Sequence, residues 1–178
     1  MTRLGHIVPH SVECEAALIG CAIDGAFNDV VVEGVDGSWF NELLHKNVWS
    51  HMEKLSADGK EVDTLNLANV TMADSEFKEL GGNPGTLTGM VDQGPFADNW
   101  PYWAGELRSQ LKRRQYQQFG LDIQRLAKEH ADIDQFADDV ESRVMALRKF
   151  KDEQTTQSRK ESLTDIMQMM EEIHLGNG

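Results

Sequence analysis

Apolar positions recur every three to four residues along almost the whole chain, and they seldom alternate. Val12, Ala16, Ile19 and Ile23 mark a first helix, with Ser11 as its N-cap and Glu13 in the first turn, where the helix dipole favours an anion. Gly25 ends it, and a short helix follows over 27–33. After the turn at 34–37, Trp39 and Phe40 lead into a helix through Leu55 with the stripe Leu44, Val48, Met52 and Leu55. Asp63 caps a short helix within 62–70. Residues 81–85 (GGNPG) read as a loop, 86–92 as at most two turns, and 93–101 as a second loop. The segment 28–35 is rich in valine but has no alternating partner, so the expected class is all-α.

The pattern changes at Pro101, which suits the first turn of a helix. No proline follows, and Gly105 and Gly120 are the only glycines between Ala104 and Leu175. A helix of roughly 45 Å is predicted from Pro101 to about His130. Its stripe is Trp103, Leu107 and Leu111, then Tyr116, Phe119, Ile123, Leu126 and Ala127. Asp132 and Gln135 open the next helix, whose stripe is Ile133, Phe136, Ala137, Val140, Val144 and Leu147. Two long helices joined so closely fold back as an antiparallel hairpin. Its outer apolar faces need cover, either from the first hundred residues or from a second copy of the chain.

Residues 148–161 carry five basic and three acidic side chains and little that belongs in a core, so they read as a solvated linker. Beyond it, Leu163, Ile166, Met167, Met170 and Ile173 share one face of a short helix that is marginal alone in water. A tethered amphipathic helix of this kind folds back on its own domain or docks in a foreign groove; a methionine-rich stripe suits docking. The expected organisation is a small globular helical head (1–100), a long hairpin (101–150), a flexible linker (151–161) and a short linker helix (162–175).

Charge and chemistry narrow the function. The net charge is −13, with 17 basic against 30 acidic residues, which argues against a phosphate-binding surface as the main activity. Lys112, Arg113, Arg114 and the basic linker remain a local exception. Gly59-Lys60 is the only Gly-Lys pair, but Lys54 stands where a nucleotide-binding loop needs its first glycine and Glu61 follows, so ATP hydrolysis is not expected of this chain. His10 and Cys14 lie one helical turn apart without a second ligand pair, and no metal is expected. His45, between Trp39/Phe40 and Trp49, suits a hydrogen-bonded packing role. Asp138-Asp139 and Glu171-Glu172 fall on solvated faces and receive no acid–base role. Cys14 and Cys21 lie roughly 10 Å apart along one helix, too far for a disulfide, and read as reduced thiols of an intracellular protein. Residues 1–7 are too short and polar for a signal peptide, and no apolar run is long enough to span a membrane.

The order of these features resembles the N-terminal domain and linker helix of a DnaB-type replicative DNA helicase. The opening PHSVECEAALIGCAI is similar to that family's start. In 39–67, Phe40, His45, Val48 and Trp49 fall on its aromatic, histidine, aliphatic and aromatic positions, and Gly59, Val62, Asp63 and Leu65 match its following turn. ELGGNPGTL with GPFADN resembles its Gly-Gly segment and proline loop. Residues 132–147 resemble its second hairpin helix, and 161–173 its linker helix. Thr86-Leu87 stands where the family usually has an aromatic, and Cys14 where it has a small residue, which suggests a divergent, phage-encoded member.

The resemblance implies a collar domain of a hexameric ring. Hairpins pair the domains as dimers, three dimers close the collar, primase and a helicase loader dock on it, and the linker helix packs on a neighbour's motor domain. On this reading Leu111, Tyr116, Phe119, Ile123, Phe136, Val140, Val144 and Leu147 serve the hairpin and its pairing. Leu163, Ile166, Met167, Met170 and Ile173 serve docking on the neighbour. No cofactor is expected here; ATP and Mg²⁺ belong to the motor domain of a parent 5′-to-3′ helicase. Contact with DNA is weak or through that motor, there is no membrane partner, and the location is cytoplasmic. The ending at LGNG suggests a truncation. A free-standing regulator that imitates the collar is the alternative, and a DNA-binding helical protein a lesser one.

Overall fold

The computed structural model describes residues 10–94, 96–129 and 132–145, and all regular structure among them is helical. Helix α1 (Val12–Cys21) starts where Ser11 leaves helical geometry and its hydroxyl accepts the Cys14 amide at 3.3 Å. One wider turn, Ala22–Ala26, links it to α2 (Phe27–Val32), and the kink is at Gly25, whose φ of 118° is open to a residue without Cβ. After a 3₁₀ turn at Gly37–Trp39 come α3 (Leu43–Ala57), α4 (Thr64–Ala73), α5 (Ser75–Glu79) and α6 (Pro84–Gln93). A second 3₁₀ turn, Ala97–Asn99, runs into the 30-residue α7 (Trp100–Glu129), and a further helix, α8, covers 133–145.

Three local expectations change. Residues 81–93 are more helical than their glycines suggest, because Pro84 occupies the first helical position and Asn83 caps it. The Asn83 side chain accepts the Gly85 amide at 2.9 Å, while the Thr86 hydroxyl accepts the Asn83 amide at 3.2 Å. Helix α5 is an additional element, capped by Asp74, whose carboxylate accepts the Glu76 amide at 3.0 Å, and it delivers Phe77 to the core. Val12 is exposed, whereas every residue from Glu15 to Cys21 is buried. From Glu15 onward α1 is thus enclosed on all sides instead of along one stripe.

The chain divides into two compact units at Tyr116/Gln117. The head therefore extends past Pro101, the expected start of the hairpin: Ala104, Leu107 and Leu111 of α7 join the same buried cluster as Leu18, Trp49, Leu67 and Leu87. At its centre Trp49 lies 5.0 Å from the Phe40 ring and 5.3 Å from the Phe27 ring. Helices α1 and α6 meet through glycines. A Cβ on Gly20 would lie 2.1 Å from the Met90 carbonyl oxygen, and one on Gly94 would lie 2.1 Å from that of Ala17.

The second unit contains the end of α7 and α8. Asp132 caps α8, its carboxylate accepting the Asp134 amide at 2.9 Å. Arg143 Nη1 donates to Asp122 Oδ2 at 3.3 Å, so α8 returns alongside α7 as an antiparallel hairpin.

Candidate assembly surface

Glu15 fixes the framework of the head. Its carboxylate is fully buried and bridges α1 to the start of α3, accepting the Asn41 amide at 2.7 Å and the Glu42 amide at 3.1 Å. The amides belong to the segment entering α3, where helix N–H groups lack intrahelical partners. His45 Nδ1 lies 2.9 Å from Glu15 Oε2, which gives the histidine the hydrogen-bonded packing role its aromatic neighbours suggested. Burial alone would raise the Glu15 pKa. The bonds from His45, Asn41 and Glu42, together with the charge on His45, outweigh it and hold the carboxyl below its ordinary value.

Helix α7 is tied to the head by two arginines. Arg108 pairs with Glu33 and lies over the Trp39 ring, 5.4 Å from its centroid. Arg114 Nη2 donates to the Trp39 carbonyl at 2.6 Å and to that of Ser38 at 3.4 Å. Of the basic run 112–114, Arg114 is thus committed to main-chain carbonyls, which weakens the case for a nucleic-acid patch there. Cys21 is buried and its thiol donates to the Phe96 carbonyl at 3.3 Å. Burial and nearby Asp24 push its pKa up to about 11, so it is a packed thiol and not a thiolate. Cys14 is half-buried and free. His10 Nε2 faces a Glu42 carboxylate oxygen at 3.5 Å, and no group of three or more potential metal ligands occurs among the described residues. None of the described helices is long and apolar enough to cross a membrane.

The residues expected to mediate pairing separate into two groups. Leu111 lies in the head core at 7% exposure and has almost no surface to offer a partner. Tyr116, by contrast, is 59% exposed. Phe119, Ile123, Phe136, Val140 and Val144 are half-buried. Leu147 lies outside the described residues, as do Leu163, Ile166, Met167, Met170 and Ile173. Sequence periodicity omitted Leu121 and Met145, which are exposed on the hairpin together with Ile133. Among the described residues of the second unit, Leu126 alone is buried. The ionic contacts among the described residues there, Arg143–Asp122, Arg125–Asp122 and Arg125–Glu129, are solvent-accessible and worth at most about 1 kcal/mol each. Among the described residues the hairpin is therefore polar at its edges, with an apolar seam whose side chains are mostly half-buried or exposed.

The described residues form an all-helical head and a helical hairpin, the architecture of a known family of helical domains. The model of the DnaB-like helicase N terminal domain matches residues 7–109, more than half of the sequence. The chain belongs to that family. The crystal structure of the N-terminal domain of DnaB helicase from Mycobacterium tuberculosis is similar over 79% of this chain and 99% of that one, with a TM-score of 0.69 at 19% identity. No curated protein matches the sequence.

Proposed function

We propose that this chain is the assembly and recruitment module of a hexameric DnaB-type replicative helicase, and that its hairpins pair copies of the domain. The observation that supports this reading is the apolar seam of the described hairpin residues: Phe119, Ile123, Phe136, Val140 and Val144 half-buried, Leu126 alone among them buried, and Leu121, Ile133 and Met145 exposed. Apolar side chains on a two-helix hairpin gain about 1.5–3 kcal/mol each when fully buried, and a second hairpin supplies a surface for that. Primase and a loader dock on the resulting collar. The motor that hydrolyses ATP lies in another part of the helicase, since 54–61 lacks the glycine and Ser/Thr a phosphate loop needs.

Val140→Glu tests the pairing. It is expected to weaken self-association about 10- to 100-fold, the equivalent of one lost buried side chain, in sedimentation or light scattering. Helical content by circular dichroism should stay near that of the parent. Unchanged association with unchanged helicity would refute the role given to the seam.

Residues 162–175 form the linker helix in this reading, with Leu163, Ile166, Met167, Met170 and Ile173 against a neighbouring motor domain. In the full-length helicase, Ile166→Asp is expected to abolish that docking and loosen the ring while the collar stays folded. Ring assembly by the variant indistinguishable from the parent, measured by native mass spectrometry, would remove the docking role.

A further inference from the structure

We draw no further inference here: the strongest candidate, the open groove between α3 and the α4–α5 corner lined by Leu43, Lys46, His51, Lys54 and Val70, carries nothing because Asp74 and Glu76 on the same groove offset its lysines and nothing in the structure shows what covers it.

Discussion

Replacing Glu15 with alanine is expected to destabilise the head by about 3–5 kcal/mol, enough to unfold many domains of this size. The loss exceeds that of an ordinary helix carboxylate because of what it leaves behind. The Asn41 and Glu42 amides and the His45 ring all lose their acceptor at once. Each buried group left unsatisfied costs about 1–3 kcal/mol. Chemical denaturation of Glu15→Ala gives the comparison directly, and a midpoint within error of the parent would refute the pinning role.

Glu15→Gln separates charge from shape, because the amide oxygen can still accept from the main chain. The sign of the pH effect follows from the lowered pKa of Glu15 in the folded state. As pH falls below its ordinary value of 4.5, the unfolded chain takes up the proton first. The carboxylate's contribution is therefore fully present above that pH and disappears as pH drops through the lower folded value. Asp74 is shifted in the same direction by its bonds from Asn47 and His51, so the parent has more than one source of acid lability. The part due to Glu15 is the stability difference between parent and Glu15→Gln. That difference should be largest near neutral pH and shrink in acid.

Gly20→Ala and Gly94→Ala are expected to have the other large effect. Alanine ordinarily stabilises a helix interior relative to glycine by about 0.5–1 kcal/mol. Gly20 lies within α1, so propensity alone predicts a gain there. Packing predicts the reverse, because the new methyl would overlap a main-chain carbonyl that no rotamer change can move: Met90 O for Gly20, and Ala17 O for Gly94. Forcing α1 and α6 apart costs roughly 2–3 kcal/mol, or about 10–20 °C in Tm for a domain of this size. Thermal melts followed by circular dichroism decide between the two. A Gly20→Ala variant as stable as the parent, or more stable, would mean that the two helices do not approach as closely as described.

The parts of this architecture legible in the sequence are those governed by neighbours along the chain. Ser11, Asp63 and Asp132 announce helix starts because a capping side chain acts on amides two or three residues away. The extent of α7 is legible because Pro101 opens it and nothing breaks its long periodic run. Glu15 was not legible. By composition it is one more first-turn carboxylate beside Glu13, and its partners lie 26 to 30 residues onward. The glycines of the α1–α6 contact were equally silent, since Gly20 reads as a weak helix residue and Gly94 as part of a loop. Their value comes from a neighbour some 70 positions away.

The candidate surface was partly legible for the same reason. Periodicity placed Phe119, Ile123, Phe136, Val140 and Val144 on the hairpin seam, yet it could not distinguish the head-facing turns of α7 from the rest. Leu111 is therefore grouped with the hairpin residues to which the family resemblance gives pairing, although its side chain lies in the head core. Periodicity also passed over Leu121 and Met145, which stand off the main stripes and are exposed in the single chain. Resemblance to a known family organised these signals but did not locate the boundary at Tyr116/Gln117, which depends on which turns of α7 reach the core.

Self-association through the hairpin is the claim on which the functional reading rests. Multi-angle light scattering of the purified chain over a wide concentration range tests it most directly. The account predicts the mass of a dimer, or of a higher even assembly, with Val140→Glu shifted toward the single chain. A single-chain mass at every concentration, with the helices intact, would contradict it.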